Sequence, residues 1–328
     1  MSDAVIVRLP NWLGDTVMAV PALAALRRSL DGARLGVAGP WASLLAGQGL
    51  ADVLVTYPRG WGGRLRAADA VRAIDATTAV LLPNSFEAAA AALYWGARRR
   101  VGFATGGRRP LLTDAPPLPA PRLHQVDEYL LLVERLGIAP GERTPRLRPP
   151  SPDSPERVAA RALLAEAGAA GGPLVGLHLG AAFGPSKLWP VERMAELARV
   201  LSARGRTPIL LGAAGDAVLA AAVTARASAA SLVGRDSPAL LPAVLAEIDA
   251  LVCGDTGVGH LAAALGTPVV TLFGPTDARL TAPRGPAVVV SKPTPCAPCF
   301  YRTCPIDHPC LGAITAGDVA ERLAEVGI

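Results

Sequence analysis

The sequence predicts an α/β protein of two Rossmann-like, doubly wound domains facing each other across a cleft, and three observations carry that expectation. Short apolar, β-branched runs alternate with alanine-rich stretches along the whole chain, the pattern of parallel strands joined by crossover helices. At 328 residues the chain can bury two cores of that kind. Residues 139–155 hold six prolines and break the alternation, so they read as an interdomain linker that divides the protein into residues 1–150 and 151–328.

In chain order, strands are expected at residues 4–9, 34–38, 52–57, 79–82 and 100–103. Helices are expected at 15–30, 65–74, 87–94 and 126–136. The second half restarts with a helix at 155–167. Strands follow at 174–179, 208–211, 231–233, 250–253 and 269–273, with a small-residue helix from Val258 and a short amphipathic helix at 315–326. No fixed-period repeat is visible beyond this alternation.

Hydrophobic residues make up 51% and charged residues 18%, which excludes a disordered chain. No apolar run reaches the roughly 18–20 residues of a spanning helix. The first eight residues carry an acid and only four consecutive apolar residues. They read as the first strand of a cytoplasmic protein rather than as a signal peptide. The net charge of +5 is uneven: residues 1–150 hold 18 Arg against 12 acids, and the remainder 14 Lys and Arg against 15 acids. A basic first half suits an anionic partner such as nucleic acid, a phosphorylated lipid or the surface of a membrane. Aromatics at 4% with no ladder argue against a single-strand stacking platform. The densest basic spots, Arg98-Arg99-Arg100 and Arg108-Arg109, fit a solvated basic face as well as a functional patch.

The most telling stretch is GDTGVGHLAAALGTPVVTLFG at residues 254–274. A buried strand ends just before it and a helix begins at Val258, so Asp255, Thr256 and Gly257 stand where a strand's carboxyl end meets a helix amino terminus. Ligands of open α/β sheets bind at that edge, and free N–H groups there favour phosphate. Gly257 and Gly259 would let the backbone approach an anion, and Thr256 offers a hydroxyl. Lys187 adds to this: 30 of the 32 basic residues are arginine, and one of the two lysines follows the apolar strand at 174–179. A compact ammonium suits a phosphate oxygen in a tight pocket; the alternative is a chance surface position. In the first βα turn, PNWLGD at residues 10–15, no GxGxxG run is present. Asp15 is either a helix cap or a carboxylate at the sheet edge able to accept a proton.

Five blocks then resemble one family in order: LPNWLGDT at 9–16, PNSFEA at 83–88, GAAFGPSKLWP at 180–190, the 254–274 run, and CAPCFYRTC at 296–304 with His308 and Cys310. They resemble the bacterial heptosyltransferases of lipopolysaccharide core synthesis, glycosyltransferase family 9, and among these the second enzyme of the pathway. The resemblance implies a GT-B, metal-independent, inverting glycosyltransferase. Its first domain would take the lipopolysaccharide inner-core acceptor and its second the ADP-heptose donor. It implies Asp15 as general base and Lys187 as a contact of the donor phosphates. Asp255, Thr256 and Gly257 would form the loop at the donor's sugar and diphosphate, and Asp216 would hold the nucleotide ribose, where relatives usually carry Glu. No cofactor is implied, and no DxD-type acidic pair for a bridging metal appears in the expected cleft-edge segments. Helix amino terminus and lysine together can stabilise a leaving diphosphate.

His260, about one turn into the second-half helix, is either a donor contact or a packed histidine. Asn11, Asn84 and Glu87 could orient acceptor hydroxyls, although Ser85 and Glu87 could equally begin a helix. His178, inside an apolar strand, reads as structural; His124 has no assignment, and Cys253 sits in a buried strand. Cys296, Cys299, Cys304 and Cys310, with His308, have the ligand types of a zinc site but irregular spacing. Reduced packed thiols and redox pairing are the alternatives. Other readings are the first heptosyltransferase acting on a Kdo-lipid A acceptor, a nucleotide-sugar- or lipid-binding module without turnover, and an NAD-dependent oxidoreductase. The missing glycine fingerprint counts against the last. The basic first half also suits peripheral association with the cytoplasmic face of the inner membrane.

Overall fold

A computed structural model describes residues 4–30, 32–58, 60, 62–169, 172–235 and 237–328; Met1–Asp3, the start of the segment read as a first strand, lie outside them. The chain forms two compact units, Met1–Leu147 and Arg148–Ile328. Residues 139–154 contain neither helix nor strand, as six prolines in the stretch from 139 to 155 dictate.

In the first unit, β1 (Val5–Arg8), β2 (Leu35–Gly39), β3 (Val53–Thr56), β4 (Thr78–Leu81) and β5 (Arg99–Val101) form a parallel sheet of order β3-β2-β1-β4-β5. The central strand β1 is buried at every position along its length, which is why its sequence is apolar until Arg8. The expected helix at 15–30 is two helices, α1 (Leu13–Met18) and α2 (Val20–Ser29), with the break at Ala19. Pro21 causes it: proline has no N–H and its ring clashes with the carbonyl four residues back, so it is accepted only in the first turn of a new helix. α3 (Arg64–Arg72), α4 (Phe86–Tyr94) and α5 (Gln125–Glu134) complete the unit. α2 packs on α5, and α3 on α4.

The second unit opens with α6 (Pro155–Glu166), capped by the Ser154 hydroxyl, which accepts the Arg157 N–H at 3.3 Å. Then come β6 (Leu174–His178), α7 (Val191–Ala203), β7 (Thr207–Leu211), α8 (Ala217–Thr224), β8 (Ala230–Ser231), α9 (Leu241–Glu247) and β9 (Ala250–Gly254). α10 (Gly257–Leu265), β10 (Val269–Phe273), α11 (Ala278–Thr281), β11 (Ala287–Ser291), α12 (Pro309–Gly312) and α13 (Ala316–Glu325) follow. The sheet is parallel, with order β11-β10-β9-β6-β7-β8. Its edge strand β11 was not among the expected elements, because prolines at 283, 286 and 293 and a glycine at 285 disguise a short valine run.

Buried Val175, Leu177, Leu197, Leu201, Val270 and Leu323 share one core, each large aliphatic contributing about 1.5–3 kcal/mol by its removal from water. The final helix is amphipathic as expected. Its Thr315 accepts the Asp318 N–H at 3.1 Å and gives its own N–H to Asp318 at 2.8 Å, a reciprocal cap. Lys292, the second lysine, pairs with Asp318 at 2.6 Å and with the cap pulls that carboxyl down to about 2. No helix among the described residues is long and apolar enough to cross a membrane.

Candidate active site

In a parallel sheet every strand ends at the same edge, so the loops after β1, β3, β4 and β5 gather there. Arg8, the last residue of β1, is fully buried. Its guanidinium lies 4.8 Å from the Tyr57 ring centroid, donates to the Leu9 carbonyl, and donates to Asn11 Oδ1 at 3.0 Å. Burial pushes its pKa down and the Glu87 carboxylate opposes this. Glu87 also meets Arg64 at 3.6 Å. It raises the Tyr57 phenol, after burial, by charge and hydrogen bond. The expected acceptor residues Asn11 and Glu87 therefore belong to one polar cluster, organised by an arginine that the sequence reading passed over. The signal was there: a charge ending an otherwise apolar central strand.

Asp15 lies in the first turn of α1, half-buried. The Trp12 side chain, in the N-cap position, makes no cap bond. The Asp15 carboxylate stands close enough to Tyr129 on α5 to be, after burial, the main charge raising that phenol's pKa.

Asn84 and its neighbours are pinned from β5's loop. Arg108, also fully buried, donates to the Phe103 carbonyl at 2.9 Å, to Asn84 Oδ1 at 3.0 Å and to the Pro83 carbonyl. Burial lowers its pKa to about 10. This corrects the reading of Arg108 as part of a solvated face or patch: its charge is spent on loop carbonyls, because buried C=O groups need donors. Ser85 caps α4, accepting the Ala88 N–H at 3.2 Å.

In the second unit, Lys187 Nζ lies 2.5 Å from Asp255 Oδ2, 3.2 Å from the Asp255 carbonyl and 4.6 Å from the Phe183 ring centroid. Asp255 Oδ2 also accepts from Thr276 Oγ1 at 2.7 Å, a partner from the loop after β10 that the sequence reading missed. Both charged groups are largely buried, at 11% and 8% side-chain exposure, so the pair is shielded from solvent screening. Gly254 permits it: a Cβ there would meet the Lys187 carbonyl at 2.7 Å. Thr256 occupies the N-cap of α10. Its buried hydroxyl lies beside Cys253 without a hydrogen bond of normal geometry. Of the first-turn N–H groups of α10, that of Gly259 donates to the Thr256 carbonyl at 3.2 Å; those before it have no intrahelical acceptor, and the helix dipole adds positive potential. Gly259 differs from expectation: its close neighbour is the Cys253 sulfur, at 2.7 Å from a built Cβ, so it serves helix-on-strand packing rather than anion approach.

Asp216 sits over the ends of β6 and β7. Its Oδ2 accepts the Ala213 N–H at 2.8 Å, and a Cβ on Gly180 or Gly212 would meet it at 2.3 or 2.8 Å. His178, just below, is held neutral: burial lowers its pKa to about 4 against the opposing charge of Asp216. His260 is buried on α10, 5% exposed. Structure and sequence thus bring Lys187, Asp255, Thr256, Gly257 and His260 to one edge, with Asp216 over neighbouring strand ends of the same sheet.

All five cysteines are free thiols. Cys296 is exposed, Cys299 and Cys304 half-buried, Cys310 buried, and Cys304 Sγ accepts the His308 N–H at 3.2 Å. Among the described residues no three His, Cys, Asp or Glu side chains stand together as a metal site. Burial pushes the Cys253 thiol up to about 12, so it is chemically inert.

Two units, each with a doubly wound parallel sheet, are the architecture of GT-B glycosyltransferases. The sequence pattern of glycosyltransferase family 9 (heptosyltransferase) matches residues 64–309; the chain belongs to that family and is a glycosyltransferase. Lipopolysaccharide heptosyltransferase 2 of Salmonella typhimurium is 29% identical over 299 residues, 84% of this chain and 83% of that protein. The structure of E. coli ADP-heptose lps heptosyltransferase II aligns at a TM-score of 0.81 with 26% identity, covering 99% of this chain and 98% of the other. Lipopolysaccharide heptosyltransferase 1 of Pseudomonas aeruginosa is 40% identical, but over 121 residues, 36% of this chain.

Proposed function

We propose that this chain transfers L-glycero-D-manno-heptose from ADP-heptose to the inner-core heptose of lipopolysaccharide, as a heptosyltransferase II, with inversion and without a metal ion. The observation that carries the reading is the shielded Lys187–Asp255 pair beside the amino terminus of α10. The likeness to second-enzyme relatives over most of both chains supports the choice of acceptor.

An acceptor hydroxyl attacks the anomeric carbon and its proton passes to the Asp15 carboxylate. The bond from that carbon to the diphosphate oxygen breaks, and ADP leaves with the electron pair. One displacement from the opposite face inverts the anomeric centre. An alcohol is a weak acid, so the base acts chiefly as the proton departs in the transition state. Charge growing on the leaving diphosphate meets the Lys187 ammonium and the α10 N–H groups, which are already oriented. Asp216 takes the ribose hydroxyls, and Asp255, held by Lys187 and Thr276, fixes the ammonium. Asn11, Asn84 and Glu87 face the acceptor in the first unit, which is the acceptor-binding domain; the second binds the donor. The arginine-rich first unit associates peripherally with anionic lipid on the cytoplasmic face of the inner membrane.

The test is ADP release from ADP-L-glycero-β-D-manno-heptose with lipopolysaccharide carrying a single core heptose, in EDTA, for wild type and Asp15→Ala. Acceptor-dependent release that the variant lacks is the expected result. Folded wild type that binds donor but never releases ADP would remove the transfer reading in favour of a binding module.

A further inference from the structure

At a bound diphosphate, the Lys187–Asp255 pair and the α10 terminus leave negative charge uncompensated. Lys187 is neutralised by Asp255 at 2.5 Å, so the pair presents little net charge to a ligand. The α10 terminus adds the equivalent of only roughly half a positive charge. A leaving nucleoside diphosphate carries more negative charge than that.

A second cation stands beside the first. Arg302 lies in the cysteine-bearing run, and its guanidinium carbon is 5.5 Å from the centroid of the same Phe183 ring that Lys187 contacts at 4.6 Å. Among the described residues its guanidinium forms no ion pair; the ring contact is its one side-chain interaction, and the residue is solvent-exposed. Its backbone, in contrast, is locked onto the lysine loop. The Ser186 N–H donates to the Arg302 carbonyl at 3.1 Å, and Ser186 Oγ donates to the Tyr301 carbonyl at 2.6 Å. Gly184 (φ 151°) makes the approach possible, since a Cβ there would sit 2.5 Å from the Arg302 carbonyl. From the other side, the Cys299 and Phe300 N–H groups donate to the Pro275 carbonyl at 3.0 and 2.8 Å, next to Thr276, which holds Asp255. The segment is therefore fixed to the Lys187 loop and to the loop whose Thr276 holds Asp255, while leaving one guanidinium free.

We propose that Arg302 is a second cation of the donor site, binding the diphosphate of the nucleotide sugar alongside Lys187. The proposal rests on reading that site as one for a nucleoside diphosphate sugar. A planar guanidinium donates two parallel N–H groups to phosphate oxygens, and an unpaired one offers its full charge. The division of labour follows: Lys187, fixed by Asp255, marks the position, and Arg302 supplies the net positive charge.

Isothermal titration of wild type, Arg302→Ala and Arg302→Lys with ADP and with AMP tests this. Arg302→Ala is expected to weaken ADP tenfold or more and AMP less than threefold, with an unchanged melting temperature because the backbone contacts remain. Arg302→Lys should recover part of the ADP loss. ADP affinity equal to wild type would overturn the proposal, and so would equal losses for ADP and AMP, the mark of a site merely disturbed. The two readings fail separately. Wild type that binds ADP without any sugar transfer removes the transfer reading and leaves the titration decisive for Arg302. Full transfer with an Arg302→Ala variant that matches wild type removes Arg302 alone.

Discussion

The two units share a parallel, doubly wound sheet, yet different cations hold the carboxyl edge of each. In the first, Arg8 and Arg108 are fully buried and spend their donors on backbone carbonyls and on Asn11 and Asn84. In the second, a lysine sits on a carboxylate at a helix terminus. A guanidinium has five donors in a rigid fork and can brace several loop carbonyls at once; an ammonium is a compact charge that suits one anion. The excess of arginine over acid in the first half thus overstates the charge available to a partner, since part of it holds the loops in shape.

The two kinds of cation therefore fail differently when exchanged. Lys187→Met should lower turnover by about 10²–10³-fold, the scale of losing one preorganised donor at a leaving group; it also leaves the buried Asp255 carboxylate unpaired. Lys187→Arg should recover little of it, as steady-state ADP release would show. Arg108→Met should instead cost stability, about 3 kcal/mol from orphaned carbonyls, read as a lower urea midpoint for the first unit. Arg108→Lys should not rescue it, because one ammonium cannot reach the same acceptors. Recovery by either exchange would dissolve the comparison.

Smaller effects sharpen it. Gly184→Ala forces the lysine loop off the Arg302 carbonyl and should raise the donor KM several-fold with a stability loss of about 1–3 kcal/mol. His178 gives a pH signature confined to the second unit. Its folded pKa, about 4, lies below the usual 6.5, so between those values the unfolded chain binds more protons. Stability therefore falls as pH drops from about 6.5 to 4, by up to about 3 kcal/mol. His178→Gln should flatten that slope in denaturant titrations, leaving the first unit's unfolding unchanged.

Much of this architecture was legible because parallel strands are buried on both faces and so read as apolar runs; β10 falls where it was expected, at Val269–Phe273. The break at Ala19 was also written in the chain, as Pro21, but a small-residue run concealed it. At the second unit's edge, Lys187 stood out against an arginine background. The residues that fix its surroundings did not: Thr276 holds Asp255 and Ser186 ties the lysine loop to the Tyr301 and Arg302 carbonyls, and hydrogen bonds between loops distant in sequence leave no periodicity to find. Arg108 shows the same limit from the other side: a pair of adjacent arginines looks like surface, and only the fold shows that one of them is interior.

The division of labour between the units is the central claim, and donor binding measured beside single-turnover transfer for Asp15→Asn tests it most directly. The expected result is an ADP-heptose Kd within twofold of wild type and transfer slowed by about 10³-fold, within the usual range for a lost general base. Transfer at the wild-type rate, or donor affinity falling together with turnover, would contradict it.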